Sequence, residues 1–374
     1  MSQFLLVSLK NPYGAENPDK LTHLVSSLVG NLGTITDFHV KNDLPLFTSQ
    51  DQLVNIADDL SRLDTTTLGI LSRFSRNFQD LNKKVETDNR LKFPGFIPDE
   101  KYQLEQPVEA MVKIDDANIY QVPEYLKKWT WSETQFDTNK SINEVKDKIV
   151  QEVAETEGNT RTITNSFTEA SNAIVALRRR NEGTLATRNL EEVASGLVCV
   201  TSVATYKPTT GPKHPIFVQT PHLQTVFVVV KKAQKKEFET DYRAQSTYVV
   251  PVAPQFIEED TDHFLYAVTL LRDNIDDYQT FCKEKRWTLK VITYKEDMKT
   301  KMKEEALNTI NTYQQTLGTY SDALVNGFSH LFVVWMHIKA LRAYAESKLL
   351  YGIKSPFQCY MIETTQKNIP KIHK

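Results

Sequence analysis

The stretch SINEVKDKIVQEVAETEGNTRTITNSFTEASNAIVALRRRN, residues 141–181, decides the architecture. Apolar or small residues recur at Ile142, Val145, Ile149, Val153, Thr156, Thr160, Ile163, Phe167, Ala170, Ile174 and Leu177. The spacing alternates three and four with one extra step of four, which is the seam of a long helix packed on a partner, with a stutter. Lys146, Asp147, Lys148, Glu152, Glu155 and Glu157 fall between the seam positions and form the solvated face such a helix needs. At about 1.5 Å per residue the helix would reach roughly 60 Å. Gly158 and several threonines weaken its intrinsic propensity, so packing against a second helix must supply the stability.

That second helix is in the same chain. A matching seam runs through Ala306, Ile310, Tyr313, Leu317, Tyr320, Leu324, Phe328, Leu331, Trp335 and Ile338, with its own extra step at Leu324 to Phe328. Gly318 and Gly327 predict a bend or break in it. Beyond Phe328 the segment FSHLFVVWMHIKAL is apolar nearly all round, the pattern of a helix entering a packed domain.

Between the two helices the period changes, and the order reads strand, helix, strand, strand, helix, strand. The strands are expected at 225–232 (TVFVVVKK), 248–252, 263–271 (HFLYAVTLL) and 287–294, the helices at 233–245 and 275–286. Residues 197–206 add one further strand, and the proline-rich 208–221 reads as a loop. Because a domain's ends usually emerge close together, this insert makes the two long helices antiparallel and returns the chain to a base built from both termini. In that base, 4–9 and 34–40 read as strands, 18–29 and 51–81 as helices, and the charged, proline-containing 84–109 as a loop. The expected fold class is therefore α+β: an elongated foot, neck and head, with an antiparallel pair of long neck helices, an inserted α/β head and a foot from both termini. The boundaries fall at 1–140 and 333–374 for the foot, 141–182 and 295–332 for the neck helices, and 183–294 for the head.

Composition narrows the function by exclusion. Lys plus Arg number 45 against 47 for Asp plus Glu, a formal net charge of -2, which provides no global field to recruit nucleic acid or an anionic membrane. The three cysteines, Cys199, Cys282 and Cys359, are far apart and fit neither a disulfide framework nor a CxxC zinc site, so a reducing, cytoplasmic setting is expected. The start MSQFLLVSLK reads as a buried strand and not as a signal peptide. The best apolar run, 331–341, is interrupted by His337 and Lys339, so no direct membrane insertion is expected.

Catalytic patterns are absent from the sequence: GxxxxGK[ST], GxGxxG and HExxH do not occur, and no cofactor is expected. His330 and His337 share one helical face without a third ligand at suitable spacing, and read as core or interface histidines. Glu258, Glu259, Asp260 and Asp262 lack the glycine and spacing of a calcium loop and read as a solvated hairpin or loop. Trp129 and Trp131 read as a packing anchor. Lys231, Lys232, Lys235 and Lys236 form the densest basic cluster of the insert. With no stacking aromatics interleaved, the cluster suits an acidic helix or filament better than RNA. The run Arg178 to Arg180 closes the first long helix, where cations meet the C-terminal end of its dipole.

Several of these segments together resemble the C subunit of the eukaryotic V-type proton ATPase. VWMHIKALRAYAESKLLYG (334–352) is similar to that family's Trp-x-His-x-Lys-Ala-Leu-Arg and Glu-Ser segment ending in Tyr-Gly. RRRNEGTLATRNLEEV (178–193) resembles its junction of neck and head, and VPEYLKKWTWSETQFD (122–137) its approach to the first neck helix. HLQTVFVVVKK, DYRAQSTYVVP and FLYAVTLLRDNIDDYQTFCKEKRW follow its head in order. The resemblance implies a non-catalytic component of the peripheral ATP-hydrolysing sector. Its implied partners are the E and G subunits of the peripheral stalks and the cytosolic part of the membrane-sector a subunit. It also implies a location on the cytosolic face of acidic-compartment membranes and a role in reversible assembly. Arg188, within the junction motif, joins the four lysines as a candidate partner contact. Relative to the family, the segment after the Tyr-Gly pair is short, which predicts a trimmed foot, and 207–221 carries extra proline and glycine in place of an acidic segment. A reading of a different class, from the long helices and the lysine cluster alone, is a coiled-coil adaptor for actin or other cytoskeletal or membrane partners.

Overall fold

A computed structural model describes residues 2–14, 17–40, 50–90, 108–115, 118–201, 216–244, 249–250, 253–295 and 297–372. In chain order the elements are β1 (Ser2–Lys10), α1 (Pro18–Val29), β2 (Gly33–Phe38), α2 (Gln50–Arg90), β3 (Met111–Lys113), β4 (Ile119–Gln121), α3 (Val122–Lys128) and α4 (Ile142–Glu182). They continue with α5 (Glu191–Ser195), β5 (Val198–Val200), β6 (Ile216–Val218), β7 (Leu223–Lys231), α6 (Lys235–Asp241), β8 (Gln255–Glu259) and β9 (His263–Leu271). The last are α7 (Ile275–Glu284), β10 (Thr288–Val291), α8 (Met298–Tyr351), β11 (Phe357–Thr365) and α9 (Ile369–Ile372). With 58% helix and 20% strand the protein is α+β. The chain divides into two units, the first holding the described residues up to 166 and from 317 onward, the second those of 167–316.

In the first unit the sheet order is β1-β11-β2, all antiparallel, so the last strand lies between the first two. Strand alternation divides β11: Tyr360 and Ile362 pack with Leu21, Val25 and Val29 of α1. On the opposite parity, Phe357 meets Tyr344 of α8 edge-on, with ring centres 6.1 Å apart. Ser8 on β1 and Ser347 on α8 share a hydroxyl contact of 2.5 Å, and the Tyr351 hydroxyl donates to the Ser8 carbonyl at 2.8 Å. The sheet thus has a helix on each face.

Three long helices build the rest of this unit. Here α4 and α8 run antiparallel, since Glu152 meets His330 and Thr164 meets Tyr320, and α2 lies against both. Arg73 and Asp59 of α2 pair with Glu157 and Lys146 of α4, while Phe78 meets Phe328 of α8 edge-on. The two glycines of α8 do not break it: the helix is continuous from Met298 to Tyr351. Gly327 has a different purpose. A Cβ there would lie 2.9 Å from the Phe74 ring and 3.2 Å from the Thr160 hydroxyl, so its lack of a side chain lets three helices approach. The helix stops where Gly352 turns to φ +95°, a left-handed conformation that favours glycine.

In the second unit a four-stranded antiparallel sheet has the order β10-β7-β9-β8. β7 and β9 align end to end, Leu223 opposite Leu271 and Lys231 opposite His263. Each is followed by a three-residue 3-10 turn and then a helix, so the unit contains one strand-turn-helix plan twice. One face of β7, Val226, Val228 and Val230, packs with Phe238, Tyr242, Tyr278 and Phe281 of the α6 and α7 segments. The other, Phe227 and Val229, packs with Leu185, Leu190, Ala194 and Phe217. Burial on both faces explains the unbroken apolar run VFVVV.

Every residue of the two heptad seams is buried or half-buried. Three further local expectations change. Residues 84–90 continue α2 because dense charge is compatible with a solvated helical face and no proline intervenes before Pro94. Ile216–Val218, inside the stretch read as a loop, is a strand paired in parallel with β5, while 202–215 lie outside the described residues. The edge strand is Gln255–Glu259 and not 248–252: Val249 makes an isolated bridge to Leu270, and 248, 251 and 252 lie outside the described residues. By length and composition alone α8 could cross a membrane, but 67% of its most apolar stretch is buried inside the protein, as in a core helix.

Candidate partner-binding surfaces

The four lysines expected as a cluster lie at the turn from β7 into α6, and all four are exposed. Two of them share an aromatic support: the ammonium groups of Lys232 and Lys235 sit 5.5 and 4.9 Å from the centre of the Phe264 ring on β9. Sequence spacing could not supply this ring, which arrives by strand pairing from a distant segment, Phe264 lying opposite Val230. The same two lysines approach Glu259 and Glu239, each at 3.9 Å, whereas Lys231 and Lys236 make no ion pair among the described residues. The result is a basic turn held in shape by two cation–π contacts, with two cations turned to solvent.

Arg188 belongs to a different arrangement. Its guanidinium takes both oxygens of Glu258, at 3.2 and 2.8 Å, and its carbonyl accepts the Lys290 ammonium at 2.6 Å. No contact joins it to any of the four lysines among the described residues. The acidic stretch read as a hairpin or loop has a defined task here. Asp260 accepts the backbone N–H groups of Leu185, Asp262 and His263, which closes the β8–β9 turn and ties it to the segment after α4. Burial alone would raise its pKa, but those three donors hold it below the usual carboxylate range.

The first unit explains the 334–352 motif. Asp64, on α2, has a side chain only 5% exposed and accepts from Trp335 Nε1 at 2.7 Å, Lys339 Nζ at 2.8 Å and an Arg342 guanidinium nitrogen at 2.7 Å. Three residues spaced along one face of α8 thereby converge on a single carboxylate. Burial works against its charge, yet the bonds from Lys339 and Arg342 outweigh burial and leave its pKa lowered. Motif and spacing do not single out Asp64, although an acid on the apolar stripe of an amphipathic helix is the signal that points to it.

His337 is a core histidine. Its Nδ1 donates to the Val333 carbonyl at 2.8 Å and its Nε2 accepts the Ser132 N–H at 3.0 Å, so the neutral ring has both nitrogens satisfied. Trp129, Trp131 and Phe136 surround it, and Trp129 stacks on Phe38 at 4.3 Å, so the tryptophan pair is a packing anchor. Burial pushes the His337 pKa down to about 4. His330 instead lies half exposed, 3.5 Å from Glu152. No group of three metal-ligating side chains occurs among the described residues.

The V-type proton ATPase C subunit 1-B of Danio rerio is 24% identical over 372 residues, covering 100% of this chain and 87% of its own length. The V-type proton ATPase C subunit of Saccharomyces cerevisiae is 25% identical over 375 residues, covering 99% of this chain and 84% of its own. Among solved structures, the cytoplasmic N-terminal domain of the V-ATPase I subunit, a homolog of the a subunit, aligns over 98% of this chain and 95% of its own. Its identity of 13% and TM-score of 0.24 carry no structural argument. The family model described as the V-ATPase C subunit matches residues 4–374, and this chain belongs to that family.

Proposed function

We propose that this chain is a non-catalytic connector in the peripheral, ATP-hydrolysing sector of a V-type proton ATPase. In this reading it bridges the E and G stalk subunits and the cytosolic part of the membrane-sector a subunit, and its attachment and release accompany assembly and disassembly of the pump. The observation that carries the reading is the family match across 4–374, in a chain whose two long helices, α4 and α8, are each uninterrupted. A static connector in a rotary machine must resist torque, and a helix pair with a continuous seam deforms little along its axis. Residues 1–140 with 333–374 then act as the foot, 183–294 as the head, and the helices between them as the neck.

Reversible attachment needs grips that are modest singly and strong together, through effective concentration. The exposed lysines at the start of α6 are candidates for one grip, as a helix with acidic residues facing outward would complement them. The test is calorimetric titration of the purified chain with an E–G heterodimer. Saturable binding, weakened when Lys231 and Lys236 are replaced by glutamate, is the expected outcome. Absence of binding overturns the proposal, and actin co-sedimentation that persists at moderate salt would favour the adaptor reading in its place.

A further inference from the structure

A cleft of about 650 Å³ in the second unit has an uneven distribution of charge. Arg180 at the end of α4 lies there between two carboxylates, Glu305 at 3.1 Å and Glu191 at 3.6 Å. The lining also holds Arg188, Lys290, Lys295 and Lys301, the last paired with Asp297 at 3.2 Å. Arg188 pairs with Glu258, while Lys290 and Lys295 make no carboxylate pair among the described residues. The Lys290 ammonium is held by a neutral carbonyl, that of Arg188 itself, so two cations are kept side by side by the fold. Arg188 Nε is buried and has no hydrogen-bond partner.

The position of Lys290 is costly without an occupant, whereas Lys295 is exposed. A half-buried ammonium beside a guanidinium loses hydration and gains repulsion, and burial first, then the Arg188 charge, draws Lys290 below the ordinary lysine range. A monovalent carboxylate from outside would neutralise one of the two unpaired lysines. A phosphoryl group carries about -1.5 to -2 charges at neutral pH and three acceptor oxygens, enough for two ammonium groups and one further donor. We infer that the cleft bounded by Arg188, Lys290 and Lys295 is a binding site for a phosphoryl group, either free as a small polyphosphate or carried on a phosphorylated side chain.

The cleft and the lysine turn at α6 give opposite expectations for substitutions, which makes the proposal testable. The full-length chain is titrated with tripolyphosphate at constant ionic strength, so that general screening does not change. Parallel arms use a phosphoserine-containing peptide and its unphosphorylated form. The expected result is saturable binding of tripolyphosphate or of the phosphopeptide, with the tighter of the two identifying the source. Affinity should fall about tenfold or more in Lys290→Met, a loss of one charge-assisted contact. Lys295→Met should act in the same direction, and reads the site if the first variant fails to fold. Lys235→Met should bind like the parent. Failure of both phosphates to bind at millimolar concentration, equal binding of the unphosphorylated peptide, or loss in Lys235→Met with Lys290→Met unchanged would each overturn the inference.

Discussion

The same two helices are packed in two different ways. In the second unit, α4 buries Phe167, Ala170, Ser171 and Ile174, and α8 buries Ala306, Ile310 and Tyr313: one narrow stripe on each, with the Phe167 and Tyr313 rings stacked. In the first unit, α2 joins them and α8 from Phe328 to Ala345 is buried nearly all round. A two-helix seam requires a single apolar stripe, whereas a helix flanked by two helices and a sheet requires apolar residues on every side. The difference also changes what a polar group is worth. A charge on the second unit's stripe margin stays wet, while Asp64 or His337 in the first unit is committed to its partners.

Asp64 should give the largest effect. Replacing it with alanine leaves Lys339 and Arg342 facing a site built for a carboxylate, and breaking a buried pair by removing one partner costs about 3–5 kcal/mol. Urea unfolding followed by tryptophan fluorescence would measure this, since Trp129, Trp131 and Trp335 all lie in the first unit. A loss below about 1 kcal/mol would mean that the triad is as weak as a surface pair and would erase the contrast between the units.

His337 gives the next effect, as a dependence on pH. Its folded pKa of about 4 lies below the ordinary 6.5, so the unfolded chain binds the proton first as pH falls. The stability it contributes is fully present above about pH 6.5, declines through the interval, and is gone near pH 4; the span is about 3 kcal/mol. A stability profile of the first unit should lose that slope in His337→Gln, while segments of the second unit, followed by hydrogen exchange, keep the parent's profile. Asp64 acts at lower pH, with stability present above its ordinary 3.8 and lost as pH falls through its lowered folded value, so the two groups separate along the titration.

Gly327 and Gly318 sharpen the comparison within one helix. Alanine at Gly327 would press on the Phe74 ring and should destabilise by about 1–3 kcal/mol. Alanine at Gly318 meets nothing within 4 Å and should stabilise α8 by up to about 1 kcal/mol through helix propensity alone. Equal shifts in thermal unfolding for the two variants would show that the three-helix approach at Gly327 is not tight.

How much of this is legible in the sequence follows from the range of each interaction. Both seams can be read because a heptad is local, and His263–Leu271 can be read because its apolar run has strand length and clear borders. Gly327 reads as a hinge because its reason for being glycine, Phe74, lies on another helix. Phe264 under the lysine turn, and Asp64 under Trp335, Lys339 and Arg342, are likewise products of pairing between distant segments, which no spacing rule encodes. The edge strand Gln255–Glu259 is hidden by its acids, whose exposure at a sheet edge makes the segment look like a loop.

The smallest effect is the one expected at Glu305. Its pair with Arg180 spans the two helices in the second unit at 3.1 Å, a geometry as good on paper as that of Asp64 with Lys339. Yet Glu305 is 60% exposed and Arg180 is 40% exposed, against 5% for Asp64. Both charges of the surface pair keep most of their hydration, and Arg180 also has Glu191 within reach at 3.6 Å, so Glu305→Ala should cost at most about 0.5 kcal/mol. Hydrogen exchange along 298–316 is the suitable readout, because it samples the two-helix stretch without the three-helix core. A cost approaching that of Asp64→Ala would mean that the ion pair, and not the Ile310 and Tyr313 stripe, clamps the helices there, and that burial is the wrong variable for ranking contacts in this protein.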